Sequence, residues 1–423
     1  MFARLLLLFL FVAAPQPAGA QAAAAADSGD TGWMMICAVL VLLAALPGLM
    51  LRHLALVNVR NGLAIAAQTA AVAAGVSLAW GIAGYSLAYA PGSDWLGGGA
   101  NFLLAQLGTL REGLTVPESA FVLFQMSLAI FAACLLPGAL AERARLGWIT
   151  ALAPLWLILV YAPIVHWVWG GGWLAGLGVM DFAGALVIHV TAGFSALALA
   201  LIVGRRRSSP NGGHAPLLGM AGGALIWVGW AAIVGGWALG ATDDASTAIL
   251  NSHFAACAAA LTWMAVDRLT GGRSSATGVM SGALAGLVAV SASAALIGMG
   301  GAILTGIAAV LICRAGKALI AKGMDDAADI FVIHGLGGLT GMLLMPVMVL
   351  PALGGVGLEP AITLGGALTS QTIGIVVVAL WSMVGSAVAA LILSVILPMR
   401  DTAQQESDGL DSVQHGQQGW DFR

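Results

Sequence analysis

Two histidines, His189 and His334, lie inside long apolar stretches of this sequence, and each follows an acidic residue closely, Asp181 and Asp329 respectively. Ionisable side chains are costly inside a bilayer and usually mark the path of a polar substrate. A neutral imidazole has one donating and one accepting nitrogen, so a pair of them suits a small polar molecule better than a bare ion. Either histidine alone would more often be a satisfied contact between helices, but their matched positions favour a functional site.

The acidic residues near the histidines have more than one interpretation. Asp181 either draws cations toward the site or caps the helix that starts beside it, and we favour the cap with an electrostatic side effect. Asp329 is close to Asp325 and Asp326, so we interpret it as part of helix-start and loop chemistry. Trp169 precedes a run of glycines, where tryptophan is normally an interface anchor, although its indole face can also hold a cation.

Composition indicates what must position these residues. Hydrophobic residues make up 60% of the chain and charged residues 8%, and the mean hydropathy is +0.97. These values exclude a water-soluble globular domain and predict an all-α polytopic membrane protein. We expect about eleven transmembrane helices, because apolar stretches of spanning length recur along the chain. They begin near Trp33, Gly62, Glu118, Leu146, Asp181, Pro216, Ser246, Ser275, Leu296, Asp329 and Gln371.

Charge placement predicts the orientation and the domain boundaries. Residues 1–20 combine an early cation with a short apolar core and a small-residue end, which predicts a cleaved signal peptide. By the positive-inside rule the N-terminus lies outside and the C-terminus in the cytoplasm. We assign residues 33–398 to the membrane domain and residues 399–423 to a cytoplasmic tail. Except for Arg111, the cations fall in alternate connections: Arg52 and Arg60; Arg143 and Arg145; Arg205 to Arg207; Arg268 and Arg273; Arg314, Lys317 and Lys322; Arg400.

The positions of the two histidine-bearing helices predict an inverted repeat. By count, His189 belongs to the fifth helix and His334 to the tenth, so two five-helix halves would face opposite ways. Transporters built in this way hold their substrate near the midplane, between the halves. The two histidines would then meet on the pseudo-twofold axis.

Enzymatic chemistry finds little support in the sequence. No His-Glu-x-x-His or Gly-x-Ser-x-Gly pattern occurs, and no nucleophile adjoins a base. The four cysteines are isolated within apolar stretches, without the spacing of a metal or disulfide framework. We expect neither catalysis nor a cofactor nor a bound metal.

Several local motifs carry a family resemblance. They are residues 141–143 (Ala-Glu-Arg), residues 166–172, residues 181–184 leading to His189, residues 329–335, and a tail in which Gly409, Leu410 and Asp411 precede His415 and Gly416. With them, essentially the whole mature chain resembles the ammonium transporter family (Amt, MEP and Rh proteins), most of all its bacterial Amt branch. The resemblance implies a multi-pass homotrimer of the inner cell membrane, with ammonium or ammonia as substrate and a separate narrow pore in each subunit.

The resemblance also implies roles for individual residues. His189 and His334 match the paired histidines of the pore, Trp169 the indole of the outer recruitment site, and Asp181 the buried aspartate beneath it. The tail motif resembles the segment through which a PII signalling protein blocks the pore. Phe124 matches an aromatic residue of the outer vestibule and Trp230 a tryptophan that lines the pore.

This chain departs from the family pattern at the pore entrance and in the tail. Leu128 and Ile233 correspond to the two phenylalanines that stack over the pore, and Trp237 corresponds to the recruitment-site serine. We therefore expect a hydrophobic plug without an aromatic gate, while Trp237 either adds an indole or obstructs the entrance. Gln417 and Trp420 replace an acidic residue and a tyrosine of the tail, which weakens the case for PII binding.

Two functions follow from this pattern. The first is ammonium uptake, in which the cation is held at Trp169, loses a proton and crosses as ammonia past the histidines. The second is an ammonium sensor or regulator of the same fold that conducts poorly, because the gate and the recruitment site are altered. A gas channel, as among Rh proteins, is a related alternative against which the Trp169 motif argues.

Overall fold

The computed structural model describes residues 26–207, 213–320 and 323–420. The predicted signal peptide, residues 1–20, lies outside them. Within the described residues the fold is helical throughout, apart from three isolated β-bridges, and the all-α prediction is confirmed. In this described part of the chain, ten helices are long and apolar enough to cross a membrane: α1 (Ser28–Leu56), α2 (Val59–Tyr89), α3 (Glu118–Ala139), α4 (Leu146–Gly176), α5 (Ala185–Val203), α6 (Pro216–Gly236), α7 (Asp243–Gly271), α9 (Met299–Ile320), α10 (Phe331–Met348) and α11 (Leu364–Ser394). The apolar helix α8 (Ala276–Val290) is shorter, and α12 (Ala403–Asp408) and α13 (Leu410–His415) form the tail.

Most helices begin close to the predicted residue, and the differences have local causes. Helix α1 begins at Ser28, before Trp33, because the Asp27 carboxylate caps it by accepting the backbone N–H of Asp30 at 2.9 Å. Helix α11 begins at Leu364, before Gln371, because Thr363 caps it in the same way. Caps extend helices beyond the apolar stretch that predicts them.

Arg52 does not lie in the connection in which its charge predicts it. Arg52 was assigned to the connection after the first helix, but α1 continues through it to Leu56, and its side chain is buried. Apolar residues follow Arg52, so the helix continues and packs past this charge. The position of a charge therefore does not mark the end of α1.

Ion pairs join several of the other cation-bearing connections at one face of the bundle. Arg206, after α5, binds Glu142 at 2.8 Å and forms a two-pronged pair with Asp325, which precedes α10. Arg143 also contacts Asp325, at 3.0 Å. Arg145 pairs with Asp401 at the start of the tail. These contacts bring the connections after α3, α5 and α9 together with the tail.

The helices α5 and α10 cross closely, and both begin with a π-helical turn, over Ala185–Val190 and Phe331–Leu336. Each π-helical turn contains one of the two histidines. Gly193, four residues after His189, lies against the backbone of Gly335, and Gly338, four residues after His334, lies against that of Ala185. A Cβ at either glycine would collide with the opposite helix, so the glycines permit the crossing.

Candidate functional site

The two histidines meet at the crossing of α5 and α10. His189 Nδ1 and His334 Nδ1 are 3.1 Å apart, and both side chains are buried. One Nδ1 must donate and the other accept, so the neutral rings adopt opposite tautomers. His189 Nε2 is also buried and has no hydrogen-bond partner among the described residues. A buried polar atom without a partner is costly, so this nitrogen is suited to a small hydrogen-bonding molecule.

Aromatic rings hold His189 on two sides. Trp230 stacks on its imidazole, with ring centroids 4.9 Å apart and an interplanar angle of 18°. The edge of Phe131 approaches His189 and Trp230, at 6.2 and 5.8 Å between centroids. Trp230 is itself fixed, because its Nε1 donates to Ser291 Oγ at 3.0 Å. Phe131 was missed from the sequence, where a phenylalanine in an apolar helix carries no distinguishing signal.

Asp181 caps the turn that carries His189. Its carboxylate accepts the backbone N–H groups of Gly184, Leu186 and Val187 at 3.2, 2.9 and 2.9 Å. Three such bonds commit the carboxylate to the helix start. Ala185, the first helical residue, follows Asp181 by four positions, later than the sequence suggested.

The residue that corresponds to Asp181 beside His334 is Asp326, and not Asp329, although Asp329 is nearer in the sequence. The Asp326 carboxylate accepts the N–H groups of Ile330 and Phe331 at 2.8 and 2.7 Å. Asp329 instead has a left-handed backbone, φ 57°, and pairs with Lys317 Nζ at 2.6 Å. The equal spacing of eight residues, from Asp181 to His189 and from Asp326 to His334, was an available signal.

Three aromatic residues close one end of the histidine site. Trp169 Nε1 donates to the Asp181 carbonyl at 2.8 Å, which orients its indole. Trp237 packs against that indole, with ring centroids 4.0 Å apart, and Phe124 meets Trp237 edge-on at 6.2 Å. Trp237 therefore covers a face of Trp169 that would otherwise be open to a cation.

Leu128 and Ile233 lie between this aromatic end and the histidines. Leu128 is one turn from Phe124 and Phe131 on α3, and Ile233 is one turn from Trp230 on α6, so each shares the helix face of these aromatic neighbours. Both side chains are fully buried. Two buried aliphatic side chains thus occupy the level between the aromatic end and the histidines.

The opposite end of the site contains His53, which the sequence interpretation left out, and Arg52, which it placed in a connection. His53 and Arg52, near the end of α1, line a small cavity together with His334. His53 packs on Gly138, where a Cβ would come within 2.5 Å of its Nε2. Both residues are polar interruptions of an apolar helix, and this interruption could have identified them from the sequence as candidate site residues.

The tail packs against the start of α2. The Asp411 carboxylate accepts the N–H groups of Leu63 and Ala64 at 3.2 and 2.7 Å, and the Leu410 N–H donates to Asn61. Gly409 has φ 102°, which favours glycine, and its Cα lies against Arg60. His415 ends α13 and Gly416 caps it in the left-handed conformation. The tail motif is thus ordered and hydrogen-bonded to the helix bundle.

Comparisons with known proteins agree with this architecture. The profile of the Ammonium Transporter Family matches residues 32–420. The ammonium transporter of Bacillus subtilis is 36% identical over an alignment of 407 residues that covers 93% of this chain and 98% of that protein. Ammonium transporter Amt1 of Archaeoglobus fulgidus is 32% identical, and the alignment covers 92% of this chain and 98% of that protein.

Solved structures give the same answer. A protein titled "Sensor Amt Protein" has a TM-score of 0.86 at 27% identity, with 92% of this chain and 98% of that one covered. Saccharomyces cerevisiae Mep2 has a TM-score of 0.81 at 28% identity, and the superposition covers 89% of this chain and 88% of that one. On the profile match and these relatives, the chain belongs to the ammonium transporter family.

Proposed function

We propose that this protein moves ammonium nitrogen across the membrane through a narrow hydrophobic pore whose centre is the pair His189 and His334. The observation that carries the proposal is the 3.1 Å contact between their Nδ1 atoms, inside an aromatic and aliphatic surround. Family membership supports ammonium or ammonia as the substrate.

The chemistry follows from the cost of charge in an apolar passage. An ammonium ion at the Trp169 end is attracted by the indole π-face, while the level of Leu128 and Ile233 offers it no polar partner. It therefore gives its proton to water at the entrance and continues as ammonia. His189 Nε2 has unused hydrogen-bonding capacity for that molecule.

Uptake of labelled methylammonium into proteoliposomes tests the proposal. His189→Ala removes the free Nε2 and the contact with His334, and we expect the initial rate to fall at least tenfold. His253→Ala is the matched control, because His253 is an exposed histidine on α7, away from the pair. If His189→Ala took up the amine as fast as the parent and the control, the paired histidines would not form the pore.

A second candidate is an ammonium sensor or regulator that conducts poorly. The close packing of Trp237 on Trp169 favours it, since one of the two indole faces that could receive a cation is covered. The likeness to a protein titled "Sensor Amt Protein" also supports it. A sensor would bind ammonium but fail to restore the growth of a transport-deficient strain on scarce ammonium, whereas a transporter would restore it.

We propose the assembly and location on the same basis. The protein is a homotrimer of the inner membrane, with residues 1–20 as signal peptide, 33–398 as membrane domain and 399–423 as cytoplasmic tail. The ion-paired face described above is then the cytoplasmic one, and the docked motif from Gly409 to Gly416 offers a surface for a PII signalling protein. Cross-linking in native membranes tests the trimer, and co-purification with the host's PII protein tests the partner.

A further inference from the structure

Arg52 is a buried charge in the part of α1 that continues toward the ion-paired face. Its side chain belongs to a residue that is only 5% exposed. One terminal nitrogen, Nη2, donates to Ser281 Oγ at 2.6 Å. The other, Nη1, is buried and has no hydrogen-bond partner among the described residues. A guanidinium remains protonated in proteins, so a fixed positive charge with an uncommitted donor lies at this position.

Two cavities adjoin Arg52. The larger, about 560 Å³, opens toward the ion-paired face between α7, α8 and the end of α9. The smaller, about 10 Å³, has room for roughly one water-sized molecule and is lined by His53 and His334 among apolar side chains. Among the described lining residues, Arg52 is the one common to both cavities. It therefore forms the junction between the larger cavity, which we name the vestibule, and the small cavity beside the histidines.

The charges of the two cavities differ. The vestibule contains four cationic and four acidic lining residues, and partners are present for its carboxylates: Asp267 with Arg314, Asp325 with Arg206, Asp329 with Lys317, and Asp326 with backbone N–H groups. This balance gives the vestibule little preference for an anion or a cation. The small cavity has no carboxylate among its described lining residues, so the positive charge of Arg52 dominates there.

Such a junction treats ammonia and charged species differently. A guanidinium carries only donors and no acceptor, so it cannot take a proton from His53 or His334 and hand it on. It also repels an ammonium ion or a hydronium ion in a narrow apolar passage. Ammonia carries no charge and has a lone pair that can accept from Nη1. The junction is therefore open to the base and closed to its conjugate acid and to protons.

We propose that Arg52 is a selectivity residue that makes transport electrically silent. The proposal rests on the proposed transport function. Ammonium leaves its proton in the water at the entrance, ammonia passes the histidines and Arg52, and water in the vestibule reprotonates it with release of hydroxide. No net charge crosses, and the receiving compartment becomes alkaline.

The test combines two measurements on the same proteoliposomes: charge moved on a solid-supported membrane after an ammonium pulse, and uptake of labelled methylammonium. The variants are Arg52→Gln and Arg273→Gln, the latter at an exposed arginine of the α7–α8 connection. For the parent and Arg273→Gln we expect uptake with little charge and with alkalinisation of the lumen. For Arg52→Gln we expect at least fivefold more charge per amine. Arg52→Met serves if the Gln variant does not fold.

The outcomes separate this proposal from the one on which it rests. Parent uptake tests the transport function, and the difference between the parent and Arg52→Gln tests the junction. A parent that takes up no amine contradicts transport, yet a current that appears only in Arg52→Gln still supports Arg52 as the barrier. The proposal is overturned if the charge per amine is the same in the two proteins, or if neither protein conducts.

Discussion

Asp181 and Asp326 make equivalent hydrogen bonds in the two halves of the protein. Each lies eight residues before His189 or His334, and each carboxylate accepts backbone N–H groups at the start of the helix that carries that histidine. The partial positive charge of a helix N-terminus stabilises a carboxylate in this place. The two histidine-bearing helices therefore start with the same type of cap, as the predicted repeat requires.

This equivalence predicts that Asp326 matters more than its neighbour Asp329. Asp326→Asn replaces charge-assisted bonds and places an amide donor against backbone donors, so we expect a loss of about 2 kcal/mol of stability. Asp329→Asn loses a partly exposed ion pair with Lys317, worth at most about 1 kcal/mol. Thermal unfolding in detergent measures both. Equal destabilisation by the two substitutions would show that Asp326 is not the structural counterpart of Asp181.

The packing of Trp237 on Trp169 predicts a gain of flux when the ring is removed. Trp237→Ser frees a face of the Trp169 indole for a cation, a contact worth about 1 kcal/mol, so uptake of labelled methylammonium should rise about fivefold. Trp227→Ser, on the same helix but beside the surface groove near His253, is the control and should leave uptake unchanged. A fall in uptake for Trp237→Ser would mean that the second indole takes part in recruitment.

The helix crossing predicts strict size limits at Gly193. Gly193→Val would drive side-chain atoms into the backbone of Gly335, so we expect destabilisation of about 3 kcal/mol and separation of the two histidines. Gly300→Ala is the comparison, because a Cβ there meets open space. It should leave stability equal or raise it by up to about 1 kcal/mol, since alanine favours helices. Chemical denaturation and methylammonium uptake measure the two effects, and a functional, stable Gly193→Val protein would refute the close crossing.

The ion pair between Arg206 and Asp325 predicts an acid-sensitive contribution to stability. Burial alone would raise the pKa of Asp325, but its hydrogen bonds and charge pairing with Arg206 outweigh burial and leave the pKa below its usual range. A lowered pKa in the folded state stabilises the protein above the unfolded pKa of about 4 and ceases to do so as the pH falls through the folded value. The melting temperature of the parent should therefore exceed that of Asp325→Asn at pH 7, and the gap should shrink below about pH 4. A gap independent of pH would contradict the pairing.

Several features of this protein are readable from its sequence because they are local. Apolar stretches of spanning length predict the helices, and two histidines inside such stretches are conspicuous because polar groups are rare there. The starts of α3, α4 and α6, at Glu118, Leu146 and Pro216, coincide with the predicted residues.

Other features depend on contacts that only folding creates. Arg52 reads as a loop cation because charges normally mark the ends of apolar stretches, and its burial results from packing against α8 through Ser281. Asp329 is nearer to His334 in sequence, yet Asp326 reaches the helix start because the backbone turns at Asp329. Phe131 is indistinguishable from a core residue until the rings around His189 are in place.

The central claim is that His189 and His334 act as one unit in the passage of the substrate. A double-mutant cycle on initial rates of labelled methylammonium uptake tests it most directly, with the parent, His189→Ala, His334→Ala and the double variant. Because the two rings share one hydrogen bond, each single substitution should lower the rate at least tenfold, and the double variant should be scarcely slower than either. Single variants that keep the parental rate, or losses that multiply as for independent sites, would contradict the account.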